Sequence, residues 1–123
     1  MTGPRCLIVD DSAAFRDAAR SMLERGGIEV VGIACDGTEA MRRAEELHPD
    51  VALVDVDLGA ESGFDVAERL GGIPVILTST HDEQDFADLI AASPALGFLS
   101  KFALSPGAVR DLLAARTNAS PNT

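Results

Sequence analysis

Five side chains in this sequence are of types that could together hold a phosphoryl group and a hard cation. Asp10 and Asp11 follow the apolar run Cys6 to Val9, and Asp55 ends a second run, Val51 to Val54. Ser79 closes a third, and Lys101 comes shortly after Gly97-Phe98-Leu99. Three carboxylates on one rim repel one another unless a cation neutralises them. Mg²⁺ suits such a set, because it takes a few carboxylate oxygens and keeps water in its remaining positions. Lys101 is the only lysine, the other nine of the ten cations being arginines. A single ammonium at an acidic edge can pair with a carboxylate or with a phosphoryl oxygen. The Ser79 hydroxyl can donate to the same oxygen. Thr78 and Thr80 are its substitutes if the strand slips by one residue, since such a slip turns every side chain over. Any one of the aspartates alone is explained equally well as a helix cap or a strand end. The convergence of all three on one edge favours a site.

That convergence requires particular elements. Short apolar runs alternate with amphipathic stretches five times without an internal repeat, the pattern of βα units. The first strand is Arg5 to Asp10. Ser12 then caps a helix with the apolar face Phe15, Ala18, Ala19, Met22 and Leu23, stopped by Gly26-Gly27. Ile28 to Ala34 is the second strand, followed by a turn at Asp36-Gly37 and a helix from Thr38 to Leu47 that must end before Pro49. Val51 to Asp55, apolar on both faces, reads as a central parallel strand. A short helix runs from Ser62 or Gly63 to Leu70, and Ile73 to Thr78 or Ser79 is the fourth strand. The fourth helix, Asp82 to Ala92, turns Phe86, Leu89 and Ile90 inward. Leu96 to Leu99 is the fifth strand, and Ser105-Pro106 opens a helix to Arg116. Thr117 to Thr123 is a polar tail or the stub of a linker. The fold is thus a flavodoxin-like, doubly wound α/β domain over residues 1–116, with five parallel strands in the order 2-1-3-4-5 and five helices. Ligands on such a sheet bind beyond the carboxyl ends of the strands, where the five residues fall.

Composition narrows the function. The 123 residues suit one domain, and 46% apolar content suffices for a core. Twenty acidic residues against ten cations, a formal charge of −10, argue against binding nucleic acid, whose phosphates are held by clustered Lys and Arg. No apolar run approaches the roughly 18 residues of a membrane span. The run Cys6 to Val9 is also too short for the core of a secretory leader, about 7 to 15 residues. Cys6 and Cys35 lack a CxxC spacing and lie too far apart along neighbouring strands for a disulfide. Both are read as buried thiols of a cytoplasmic protein.

With these residues in place, residues 5 to about 116 resemble a receiver domain of the two-component response regulators. Asp10-Asp11 matches that family's acidic pair. His48-Pro49-Asp50-Val51-Ala52-Leu53-Val54-Asp55 resembles the lead into its phosphorylated aspartate. Gly63 fits the glycine after that site, Ser79 the hydroxyl residue, Phe98 the aromatic switch position and Lys101 the lysine. The resemblance implies that Asp55 takes a phosphoryl group from a histidine kinase, a phosphotransfer protein or a small phosphodonor, with no turnover of any other substrate. It implies Mg²⁺ bound directly by Asp11, Asp55 and the backbone carbonyl of Asp57, and by Asp10 through water. Lys101 and Ser79 would hold phosphoryl oxygens. Movement of Ser79 toward the phosphate would let Phe98 turn inward, changing the surface of the fourth helix, fifth strand and fifth helix. Asp57 and His81, two residues beyond Asp55 and Ser79, would flank the entrance and tune the lifetime of the phosphorylated state. With no effector segment after residue 116, output would pass to a downstream effector protein or a separate effector domain, and a homodimer is among the partners the resemblance allows. Two departures stand out. Gly59 occupies a position usually held by proline, which should loosen its loop. Phe102 replaces the proline that often follows the lysine, so a trans bond is expected there.

Three rival readings remain. A haloacid-dehalogenase-type phosphatase also uses an aspartate nucleophile, and Asp55-Val56-Asp57 imitates its DxD core, but two strands precede Asp55 and the acidic pair would be unexplained. A flavin binder of the same sheet order would need a phosphate cradle where Asp10-Asp11 repels one, and the chain has no Trp or Tyr to stack on the flavin. A degenerate receiver would keep the fold as an unphosphorylated docking module.

Overall fold

The structure, a computed structural model, describes residues 3–119, and the side-chain environments of residues 3–116. Strands β1 (Arg5–Val9), β2 (Glu29–Ala34), β3 (Val51–Asp55), β4 (Val75–Ser79) and β5 (Gly97–Ser100) form one parallel sheet in the order β2-β1-β3-β4-β5. Helices α1 (Ala13–Arg25), α2 (Gly37–Leu47), α3 (Gly63–Arg69), α4 (Ala87–Ala92) and α5 (Pro106–Ala119) follow the strands in turn. This is the flavodoxin-like architecture that the alternation of elements implies.

The two-residue period of the strands divides the core into two layers. Leu7, Val9, Ala52, Val54, Val75, Leu77 and Phe98 face α2, α3 and α4, meeting Ala40, Ala44, Phe64, Val66 and Ile90. Cys6, Ile8, Val51, Leu53 and Ile76 face α1 and α5, meeting Ala19, Leu23 and Val109. Burial of a large aliphatic side chain stabilises by about 1.5 to 3 kcal/mol, and Leu7, Ile8, Leu53, Ile76 and Leu77 are all fully buried. These residues anchor the strands whose far ends carry the site.

Side-chain caps fix where α1, α2, α3 and α5 begin, while α4 has none. Ser12 Oγ accepts from Phe15 N–H at 3.2 Å, Asp36 Oδ1 from Glu39 N–H at 2.9 Å, Ser62 Oγ from Phe64 N–H at 3.1 Å and Ser105 Oγ from Ala108 N–H at 3.0 Å. Each leaves only a short link from strand end to helix start, which restricts the loops that bear the chemistry.

Several expectations are corrected. The fourth helix is not continuous: a 3₁₀ turn over Glu83–Phe86 precedes a six-residue α4. The tighter 3₁₀ turn shifts the helical phase of α4, so Phe86 and Ile90 pack on the core while Leu89 is turned outward, 54% exposed. Ala18 of α1 is likewise exposed. Cys6 is buried, and burial pushes its thiol up to about 12, but Cys35 is exposed because it falls one residue beyond β2, outside both layers. Thr117 to Ala119, expected in a tail, continue α5. No stop signal precedes Ser120-Pro121, the pair at which proline disfavours further helix. The rest of that expected tail, residues 120–123, lies outside the described residues. No helix among the described residues is long and apolar enough to cross a membrane.

Candidate functional site

The sheet's hydrogen-bond ladder continues beyond the strand ends and so carries the site residues into place. Asp10 N–H donates to Ala34 O at 3.0 Å, Val56 N–H to Thr78 O at 2.9 Å and Lys101 N–H to Ser79 O at 2.8 Å. Across the sheet Val9 pairs with Val54, Asp55 with Thr78, and Ser79 with Ser100. The ends of β1, β3, β4 and β5 therefore meet at one rim.

The Lys101 ammonium lies 2.7 Å from Asp10 Oδ2 and 3.4 Å from Asp55 Oδ2. Carboxylate oxygens of Asp10, Asp11 and Asp55 all lie within 4.8 Å of one another. Their environments differ. Asp10 is 1% exposed, and its Oδ1 accepts the Ser12 backbone N–H at 2.9 Å. Its Oδ2 meets the ammonium as an ion pair but accepts no well-directed hydrogen bond. Asp11 is exposed. Asp55, 7% exposed, is the most loosely held of the buried pair: Oδ1 accepts only a long 3.3 Å bond from Asp57 N–H, and Oδ2 has the 3.4 Å contact with Lys101. Burial, then the Asp10 charge, raises the Asp55 carboxyl above the usual range, against the opposing pull of Lys101 and the Asp57 N–H. Burial pushes the Lys101 ammonium down, but its close contact with Asp10 and the Asp55 charge outweigh this and leave it raised.

These residues fit a small divalent cation. Three carboxylates against one ammonium leave two negative charges uncompensated, the donors are all oxygen, and one buried oxygen, Asp10 Oδ2, lacks a directed donor. Asp10, Asp11 and Asp55 are the side chains that would hold it.

The other expected residues are arranged around this cluster. Asp57 gives its N–H to Asp55, while its exposed side chain turns back to accept from Gly59 N–H at 3.0 Å. Ser79 is buried at the end of β4, on the layer of Leu77. Its Oγ accepts from His81 N–H at 3.0 Å and, among the described residues, makes no hydrogen bond to Asp55 or Lys101. Thr78, the partner of Asp55 in the ladder, is buried, and Thr80 is exposed. His81 is exposed, with its ring edge-on to Phe86 at 6.2 Å. Phe98, expected to turn inward on switching, already stands inside in this conformation: it is 8% exposed, and its ring lies 6.1 Å from Phe86, which lies 6.0 Å from Phe64. The Lys101-Phe102 bond is trans, as expected.

Close packing explains Gly63. A Cβ there would overlap the Asp55 carbonyl oxygen, and the Gly63 N–H donates to Val56 O at 2.7 Å, so α3 starts directly against the end of β3. The loop between them is held at a second point. Glu61 accepts from Gly37 N–H at 2.8 Å and pairs with Arg69 at 3.3 Å, tying it to the start of α2 and the end of α3. Sequence reasoning missed Glu61, one of twenty acids with no distinguishing neighbour. It also missed Phe15, whose ring centroid lies 4.2 Å from Lys101 Nζ. Its place on an apolar helical face marked it as core alone.

Similarity to known proteins identifies the family. The model of the response regulator receiver domain matches residues 6–114. The chain is 33% identical, over 96% of its length, to a protein-glutamate methylesterase/protein-glutamine glutaminase of Halalkalibacterium halodurans, 37% of which is covered. It is 35% identical over 79% of its length to a putative transcriptional regulator of Pseudomonas aeruginosa, of which it covers 49%. It is 30% identical over 94% of its length to the transcriptional regulatory protein PdtaR of Mycobacterium tuberculosis, of which it covers 60%. The chain thus spans less than two thirds of each of these relatives. Among solved structures, the signal receiver domain of the putative response regulator NarL of Mycobacterium tuberculosis superimposes with a TM-score of 0.81 at 30% identity, covering 95% of this chain and 98% of that one. The chemotaxis protein CheY4 of Vibrio cholerae gives 0.77 at 26%, covering 91% and 97%. The phosphatase and flavin readings give way to this match, and the chain belongs to the response regulator receiver domain family.

Proposed function

We propose that this domain is a Mg²⁺-dependent phosphoacceptor in which Asp55 receives a phosphoryl group. One observation carries the reading: a buried, loosely bonded carboxylate stands 3.4 Å from the chain's only lysine and beside two further carboxylates. An Asp55 oxygen attacks phosphorus, the bond from phosphorus to the donor's nitrogen or acyl oxygen breaks, and the leaving group departs with that electron pair. A carboxylate is a weak nucleophile, so placement and charge neutralisation supply most of the lowering of the barrier. Bound Mg²⁺ would neutralise charge on the reacting oxygens. Asp10, Asp11, Asp55 and the Asp57 carbonyl would hold it, Asp10 through water. Lys101 would exchange its long contact with Asp55 for a phosphoryl oxygen, and Ser79 would turn its hydroxyl from the His81 N–H toward the same group. Release of that local bond unsettles the packing of Phe98 on Phe86 and changes the α4-β5-α5 face. Asp57 and His81, both exposed at the entrance, would adjust how long the phosphoryl group persists.

The donor would be a histidine kinase or phosphotransfer protein, and the output a downstream effector protein or domain, with a homodimer as one form of that output. The test is intact mass after incubation with acetyl phosphate and Mg²⁺. The parent is expected to gain one phosphoryl group, and neither Asp55→Asn nor the parent in excess chelator should gain any. Modification that persists in Asp55→Asn means a different acceptor. No modification of the parent would favour the docking module that is never phosphorylated.

A further inference from the structure

We infer that Phe15 is a positioning residue for Lys101, its ring face holding the ammonium where it can meet both Asp55 and a phosphoryl group. The inference rests on the reading of Asp55 as phosphoacceptor and adds a part that the carboxylates and lysine do not supply.

The need for it comes from the lysine itself. Its charge sits on a flexible four-carbon stem and forms hydrogen bonds in three directions. One of these directions goes to Asp55 Oδ2 at 3.4 Å, while Asp10 Oδ2 meets the ammonium as an ion pair at 2.7 Å. On another side lies the Phe15 ring, with Nζ 4.2 Å from its centroid. The Lys101 side chain is only 13% exposed, so little water competes for the ammonium. An aromatic face within about 6 Å attracts a cation by about 0.5 to 1 kcal/mol at exposed sites and about 2 kcal/mol when desolvated. The uneven pair of carboxylate distances shows why direction matters. The ammonium is in full contact with the deeper Asp10 and only loosely with Asp55, and the attraction of the ring from a third side helps fix its direction.

Phe15 is itself rigidly placed. Its N–H is the donor to the Ser12 cap at 3.2 Å, and its ring packs partly buried against the layer that contains Ile8 and Leu23. Ser12 directly follows Asp10-Asp11, and its own N–H donates to Asp10 Oδ1. The start of α1 therefore carries the acidic pair and the ring as one unit. A π face also has a property that a fourth carboxylate would lack. It attracts the ammonium without a formal negative charge, so it adds little repulsion toward an incoming phosphoryl group and does not compete for Mg²⁺.

A purely space-filling ring would be replaced well by leucine, and the experiment uses that difference. Phe15→Leu keeps an apolar side chain but removes the π face, and Phe15→Trp restores one. The maximal rate of Asp55 modification by acetyl phosphate at saturating Mg²⁺ is expected to fall about twofold to thirtyfold in Phe15→Leu, the span of such an interaction, with recovery in Phe15→Trp. In a Lys101→Met background the leucine change should cost less than twofold. The same four-protein cycle is followed by urea unfolding without metal, where Phe15→Leu should lower the midpoint further when Lys101 is present than when it is absent. Equal effects with and without Lys101 in that cycle overturn the inference whether or not Asp55 is modified, as does a tryptophan variant as slow as the leucine one. A parent that is never modified overturns the functional reading instead, while the metal-free cycle still decides whether ring and ammonium are coupled.

Discussion

Lys101 holds together carboxylates that would otherwise push apart, and its removal leaves Asp10, 1% exposed, without its counter-charge. Breaking one side of a buried pair costs about 3 to 5 kcal/mol. Lys101→Met in the metal-free protein should therefore lose about 3 kcal/mol by urea unfolding, and added Mg²⁺ should restore part of it. Asp55 gives a second test, of opposite sign. Its folded-state value is raised, so the folded chain binds that proton more tightly than the unfolded chain does. Its contribution is fully present below the ordinary carboxylate value, about 4, and is lost as the pH rises through the raised value. Asp55→Asn, uncharged throughout, should then be the more stable protein at pH 7 without metal, and its advantage should shrink as the pH falls through that window. Thermal unfolding of both proteins across acid pH measures this, and a parent as stable as the variant at pH 7 would count against it. At this scale the acids and the lysine were legible because few other roles gather such types at strand ends. Phe15 and Glu61 were not, because an apolar residue at helical spacing reads as core and an acidic residue in a loop reads as solvated.

The elements explain both the precision of the site and where it can yield. Gly63→Ala would drive a methyl group into the Asp55 carbonyl oxygen, so it should cost at least about 1 to 3 kcal/mol by denaturant unfolding and slow modification of Asp55. The loop before it is less loose than Gly59 suggested. Gly59 adopts φ +79°, which proline cannot take, and Glu61 pins the same loop to α2 and α3. The 3₁₀ turn and α4 carry no buried residue and are the least anchored helical segment between the strands. Amide hydrogen exchange should be faster over residues 83–92 than in α1 or α2, and exchange as slow as in those helices would contradict this. Strand order and most helix starts were readable from apolar runs and caps. The break in the fourth helix was not, since Phe86, Leu89 and Ile90 also satisfy an unbroken helical period.

Across the whole molecule, the two layers hold four strand ends in one plane, and in the proposed switch chemistry at that rim would reach the surface through Ser79, Phe98 and Phe86. The acidic balance, −10 over 123 residues, makes each added phosphoryl charge unfavourable except where Lys101 and a divalent cation receive it. The most direct test of the account is to locate the phosphoryl group. After acetyl phosphate and Mg²⁺ treatment, borohydride reduction converts an acyl phosphate on aspartate to homoserine, and peptide mapping finds the converted residue. The account predicts homoserine at position 55, with Asp10, Asp11 and Asp57 unchanged. Conversion at one of those three, with Asp55 intact, would contradict it.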